Sequence, residues 1–160
     1  MKTEQKIVDL NDLLALRKSW KAKDEKVVFT NGCFDILHLG HVDYLEKAAA
    51  LGDKLIIAIN TDASVKKLKG DERPLNDQYA RARLLSALGF VDAVTYFSED
   101  TPLELITEIL PDILVKGSDY LTENIVGSDI VIKSGGEVKT IDLVDGYSTT
   151  GLVNKIKNAL

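Results

Sequence analysis

The sequence predicts a doubly wound α/β fold, a Rossmann-like parallel five-stranded sheet with helices on both faces. Three observations point there. Short apolar, β-branched runs alternate along the chain with segments of helical spacing. KVVFT (26–30) is a β-branched run short enough to be a buried strand. Helix starts and stops are marked by Asp, Ser, Thr, Pro and Gly at the expected places.

The elements follow in order. LNDLLALRKSWKAK (10–23) carries Leu10, Leu13, Leu14 and Trp20 on one helical stripe, with Asn11 offered as N-cap. KVVFT (26–30) is the first strand. HVDYLEKAAAL (41–51) returns to helical spacing and stops before Gly52. KLIIAIN (54–60) is the second strand, and KKLKGDERPLND (66–77) reads as a mobile polar loop. DQYARARLLSAL (77–88) is a helix begun by Asp77 and ended by Gly89. AVTYF (93–97) is a strand, and TPLELITEIL (101–110) a helix with Pro102 in its first turn. DILVK (112–116) is the fourth strand, SDIVIKSG (128–135) a helical piece, and EVKTIDL (137–143) the fifth strand. STTGLVNKIKNAL (148–160) closes as a helix with a Ser/Thr start. In such folds ligands bind beyond the carboxyl ends of the strands, where the strand order reverses.

A chain of 160 residues predicts one domain, 1–160, with residues 1–24 as a helical extension packed on it. Apolar residues make up 45% and charged residues 28%, and the net charge is −5. That balance argues against broad capture of nucleic acid, while leaving room for local basic clusters that bind a small phosphorylated ligand. A single cysteine forms no internal disulfide and fits a reducing compartment. The N-terminus lacks the h-region of a signal peptide, and no apolar run approaches the roughly 20 residues of a membrane span. The expected setting is the cytoplasm, with no membrane partner.

That cysteine, Cys33, and the only two histidines, His38 and His41, all lie in TNGCFDILHLGH, residues 30–41. A zinc site would need a fourth ligand, and no paired C-x-x-C spacing supplies one. A Cys–His nucleophile would need a thiolate, whereas a cysteine just after an apolar strand is more often a small buried hydrophobe. A phosphate site accounts for more residues. Gly32 lets the backbone turn close to a ligand, and Gly40 sits where a helix begins. Two imidazoles three residues apart can then converge on that helix start.

His38-Leu39-Gly40-His41 following FTNGCFDIL resembles the HxGH signature of the cytidylyltransferase-like nucleotidyltransferase superfamily. More narrowly, TNGCFDILHLGHVDYL, NTDASVKKLKGDERP, EDTPLELI, ILPDILVKGSDY, GGEV and DGYSTT are similar to the heptose-1-phosphate adenylyltransferase domain of bacterial ADP-heptose synthesis enzymes. The resemblance runs from about residue 10 to the end. It implies transfer of AMP from ATP to D-glycero-D-manno-heptose 1-phosphate, with pyrophosphate released, in the supply of cell-envelope lipopolysaccharide. The attacking phosphate oxygen is already anionic, so positioning and charge stabilisation would suffice without a strong base. Mg²⁺ would be held by phosphate oxygens and water, with no dedicated protein ligands. The family's frequently fused sugar kinase has no room here, which implies a stand-alone adenylyltransferase, and a homodimer is plausible from the family.

By the same resemblance His38, His41, Lys69 and Lys116 are the expected catalytic residues. Nucleotide binding falls to Thr30, Asn31, Gly32, Cys33, Phe34, Gly40, His41, Lys116, Gly117, Tyr147, Ser148, Thr149 and Thr150. Acceptor binding falls to Asp35, Asp62, Arg73, Arg81 and Asp119. Several keep a second reading: Asp35 as organiser of its turn, Asp62 as N-cap of ASVKKLK, Arg73 as a solvated side chain. Where the superfamily has an arginine in the last helix, this chain has Lys155. Two rival functions remain: a cytidylyltransferase acting on glycerol 3-phosphate or a similar small alcohol phosphate, and a non-catalytic nucleotide-binding regulator.

Overall fold

The structure, a computed structural model, describes residues 2–160, so the expected extension 1–24 is described from its second residue. A 3-10 turn (Thr3–Lys6) leads to α1 (Leu10–Lys21), β1 (Val27–Gly32), α2 (Leu39–Ala49), β2 (Lys54–Asn60), α3 (Asp62–Lys69) and α4 (Gln78–Ser86). Then come β3 (Ala93–Phe97), α5 (Leu103–Ile109), β4 (Ile113–Gly117), a 3-10 turn (Thr122–Asn124), α6 (Ser128–Lys133), β5 (Glu137–Ile141) and α7 (Thr149–Ala159).

Among the described residues the strands form one parallel sheet in the order β3-β2-β1-β4-β5. Successive side chains of a strand point to opposite faces, and both faces are covered. Val27, Phe29, Ile56 and Ala58 pack with Leu13 and Trp20 of α1, Ile106 and Ile109 of α5, and Val131 of α6. Val28, Leu55, Ile57 and Ile59 pack with Leu45 and Ala48 of α2 and Ala82 and Leu85 of α4. This two-sided burial explains why β1, β2 and β4 lack a polar–apolar alternation, whereas the edge strand β5 leaves Glu137, Lys139 and Thr140 exposed. It is also the main stabilising term: truncating a fully buried residue such as Ile57 to Ala costs about 2–5 kcal/mol.

The order reverses at β1, whose neighbours are β2 and β4. With β2 the pairing runs from Val27↔Lys54 to Gly32↔Ile59. With β4 it covers only Val28↔Ile113 and Phe29↔Leu114. Beyond Phe29 the two strands part, and the crevice they open is the switch point at which this fold binds ligands.

Several expectations are corrected. β1 extends two residues further than expected, so Asn31 and Gly32 belong to the strand end. ASVKKLK is helical: α3 runs from Asp62 to Lys69 and its cap is Thr61, whose Oγ1 accepts from the Ser64 N–H at 3.4 Å. Asp62 is therefore the first helical residue, not the cap. Likewise Asp9, not Asn11, caps α1 by accepting from Asp12 N–H at 2.9 Å, and Pro102 precedes α5 as its N-cap. The first residues also bear on the sheet, since Val8 N–H donates to Val94 O at 2.9 Å along the edge of β3.

Candidate active site

The switch-point crevice widens into a cavity of about 900 Å³ at the carboxyl ends of the strands. Its wall contains Asn31, Gly32, Cys33, Phe34, Asp35, His38, Gly40 and His41 from the β1–α2 segment. Lys69 and Arg73 enter from α3 and the loop after it, Lys116, Gly117 and Asp119 from the end of β4, and Tyr147, Ser148, Thr149 and Thr150 from the start of α7.

His38 is the N-cap residue of α2 and His41 lies in its first turn. Their rings stack, with centroids 3.8 Å apart and planes 21° from parallel. The ring of Phe34 meets His41 edge-on at 5.1 Å. Phe34 has a φ of 47°, a left-handed conformation that costs a non-glycine residue roughly 1–2 kcal/mol. Gly32 makes that fold-back possible, because a Cβ there would sit 2.9 Å from the Phe34 ring. Gly40 is tight as well: a Cβ would lie 3.2 Å from Tyr147 O and 3.1 Å from the His38 ring. The chain before α7 thereby closes over the head of α2, and two helix N-termini meet at one cavity.

Burial, helped by the neighbouring His38 and by Lys69 and opposed by a hydrogen bond with the Ile36 backbone, pushes the His41 imidazole down to about 4. Burial lowers His38 too. Both rings are therefore neutral at pH 7 before an anion arrives. Among the described residues neither Nδ1 has a hydrogen-bond partner, and no carboxylate clamps a tautomer as in a triad. Such a pair is suited to donating to an arriving anion, and a stack this close disfavours two simultaneous cations.

Lys116 bridges the gap between β4 and β1, its Nζ donating to Asn31 O at 3.2 Å and lying 5.6 Å from the Tyr120 ring. Burial lowers it to about 8, with Asp119 pulling upward, which leaves it largely cationic at pH 7. Ser148 caps α7, its Oγ accepting from Gly151 N–H at 3.0 Å. Cys33 Sγ donates to Asn60 Oδ1 at 3.6 Å, a packing contact rather than a thiol–imidazole pair. Among the described residues no three His, Cys, Asp or Glu side chains are grouped to hold a metal ion.

The comparisons with known proteins converge on the same segment. A family profile described as cytidylyltransferase-like matches residues 29–149, from β1 to the first residue of α7. The chain belongs to the cytidylyltransferase-like family. It is a nucleotidyltransferase. It is 57% identical over 156 residues to the bifunctional protein HldE of Campylobacter concisus, covering 98% of this chain and 32% of that protein. To the bifunctional protein HldE of Marinomonas sp. it is 54% identical over 149 residues, covering 93% of this chain and 31% of the relative. The chain thus spans about a third of the length of the curated relatives it matches. Among solved structures it resembles a lipopolysaccharide core biosynthesis protein of Thermoplasma volcanium, with TM-score 0.61 and 29% identity over 78% of this chain and 99% of that one. A pantoate-beta-alanine ligase of Francisella tularensis shares the fold, with TM-score 0.59 at 17% identity, over 95% of this chain and 77% of that one.

In this cytidylyltransferase-like chain three expected site residues lie off the cavity wall. Thr30 is fully buried beneath it, its Oγ1 2.8 Å from Tyr44 Oη and donating to Val115 O at 3.1 Å. Arg81, expected at the acceptor, is also fully buried. Its guanidinium donates to Cys33 O and Asn60 O at 2.8 Å each, to Asn76 O at 3.0 Å and to Asp62 Oδ1 at 2.7 Å. Arg81 and Asp62 thus join the ends of β1 and β2 to α3 and α4 from behind. Lys155 is exposed on α7 and does not line the cavity.

Asp35 takes the organising role of its two readings. Its carboxylate, 2% exposed, accepts from Leu75 N–H at 2.8 Å, Asn76 N–H at 2.9 Å and Arg73 Nε at 2.6 Å. Burial raises its pKa, but the Asn76 and Leu75 amides and Arg73 outweigh that and hold it below the ordinary aspartate value. The segment expected to be a mobile loop is thereby tied to the β1 turn, with Arg73 on the wall.

The wall also includes residues the sequence did not single out: Tyr44, Asn60, Leu68, Phe97, Asp100, Pro102 and Leu143. Most of them end or follow β2 or β3, and no phosphate motif marks them.

Proposed function

We propose that the chain transfers AMP from ATP to D-glycero-D-manno-heptose 1-phosphate, forming ADP-heptose and pyrophosphate in the cytoplasm. The observation that carries this is the stacked, unclamped His38–His41 pair at the meeting of two helix N-termini, with Lys116 across the crevice. The similarity to HldE proteins over nearly the whole chain supports the choice of acceptor.

The acceptor's phosphate oxygen attacks the α-phosphorus, and the bond from that phosphorus to the bridging oxygen breaks. Both electrons of that bond leave with pyrophosphate. His38 and His41 donate N–H bonds to phosphate oxygens as charge moves outward, and Lys116 and Lys69 supply fixed positive charge. The first turn of α7, with Ser148, Thr149 and Thr150, offers backbone N–H groups and hydroxyls to the distal phosphates. Mg²⁺ would be held through phosphate oxygens and water rather than by a cluster of protein carboxylates, and would supply neutralisation of the triphosphate charge. Asp35 and Arg81 hold the turn that carries the reacting groups. No helix among the described residues is long and apolar enough to cross a membrane.

The test is a matrix of four nucleoside triphosphates against heptose 1-phosphate, glycerol 3-phosphate and other sugar phosphates, read as pyrophosphate release. Turnover confined to ATP with heptose 1-phosphate is expected. Turnover with CTP and glycerol 3-phosphate in its place would overturn the assignment.

A further inference from the structure

The cavity is chemically two-sided. His38, His41, Lys116 and two helix N-termini gather around β1, β4 and α7, where phosphates are neutralised, and Lys69 and Arg73 reach the cavity from α3 and the loop after it. On the β3 side the wall is Phe97, Pro102 and Leu68, with the carboxylate of Asp100 at the rim. β3 lies three inter-strand spacings from β4 in the sheet, roughly 14 Å.

Asp119 sits beside the cationic Lys116, whereas Asp100 lies across the cavity from Lys116 and the histidines, where a carboxylate repels phosphate. The other candidate acceptors nearby are already occupied. Asp35 holds the loop after α3, and Asn60 is bonded to Ser64 Oγ at 3.0 Å and to Cys33. Among the described residues Asp100 pairs with Lys67 alone, through side chains 73% and 70% exposed. An ion pair that exposed contributes little to stability and yields readily to a ligand. An apolar wall beside a carboxylate acceptor matches a polyol, whose C–H face packs while adjacent hydroxyls donate to the carboxylate.

We propose that the β3 side of the cavity is a polyol subsite, and that Asp100 selects acceptors by accepting hydrogen bonds from their hydroxyls beside Phe97, Pro102 and Leu68. This rests on the acceptor being a phosphorylated polyol, as in the proposed function.

The experiment compares wild type, Asp100→Asn and Lys67→Ala. It measures pyrophosphate release with ATP and a panel of sugar and alcohol phosphates, and calorimetric binding of each acceptor in the presence of a non-hydrolysable ATP analogue. Asp100→Asn should raise the KM and Kd of the polyol acceptor roughly tenfold or more, with ATP KM unchanged. Lys67→Ala, which removes the ion pair but keeps the carboxylate, should bind the acceptor within about twofold of wild type. Both variants weakening acceptor binding equally would make the pair a structural brace and overturn the proposal, as would an unchanged acceptor Kd in Asp100→Asn. If heptose 1-phosphate is inert and another sugar phosphate turns over, the proposed function falls. The subsite then stands or falls by whether Asp100→Asn weakens that sugar. Wild type binding no polyol phosphate overturns both.

Discussion

Replacing Arg81 with Met separates two roles that one arginine could play. If it organises the site, the variant loses a fully buried guanidinium that donates to three carbonyls and a carboxylate. Asp62 is half-exposed and can rehydrate. The carbonyls of Cys33, Asn60 and Asn76 lose their donor at roughly 1 kcal/mol or more each, which puts the total at about 3–5 kcal/mol. Against the 5–15 kcal/mol that a domain typically holds, roughly, that is a large share. Urea denaturation at pH 7 should show a lower midpoint with an unchanged slope. Arg81→Lys should fall between, since a lysine keeps the charge without the planar fork. A loss under about 1 kcal/mol, with turnover nonetheless abolished, would refute the organising role and return Arg81 to the acceptor.

Further expectations concern charge and thiol. With its free value near 4, His41 is neutral at pH 7, and a triphosphate beside it raises that value. The complex then holds more protons than its parts, so ATP binding takes up protons and tightens as pH falls from 8 to 6. Calorimetry in buffers of different ionisation enthalpy should detect uptake that His41→Gln diminishes; equal uptake in both would contradict this. The same depression acts on folding. Between the unfolded value of 6.5 and about 4 the unfolded chain holds the extra proton, so stability is lost as pH falls through that window. The loss should reach about 2 kcal/mol, after allowance for partial exposure, in unfolding measured at pH 7 and pH 4. Cys33→Ser should keep substantial turnover, because its thiol only meets Asn60; near-complete loss would revive thiol or metal chemistry.

The sheet was legible in the sequence because its strands are buried on both faces, so runs such as KLIIAIN are apolar without interruption. The phosphate side was legible because glycines and histidines there are constrained by local geometry, and spacing alone brings His38 and His41 to one helix start. α3 was obscured because its exposed face is lysine-rich and only Ser64 and Val65 are buried, so KKLK reads as loop. Arg81 was misplaced for a related reason. Sequence shows a cation in a helix, but not that the carbonyls of two strand ends lie around it. The β3 side stayed hidden because EDTPLELI and NTDASVKKLKGDERP carry the resemblance without marking Phe97, Asp100, Pro102 or Leu68 as site residues; the strand order gathers them.

The central claim is that His38 and His41 together drive AMP transfer from the head of α2. Single-turnover conversion of α-phosphate-labelled ATP to labelled ADP-heptose, wild type against His41→Ala, tests it most directly. Loss of one such donor should slow the step roughly 10²-fold or more. Equal single-turnover rates would contradict it.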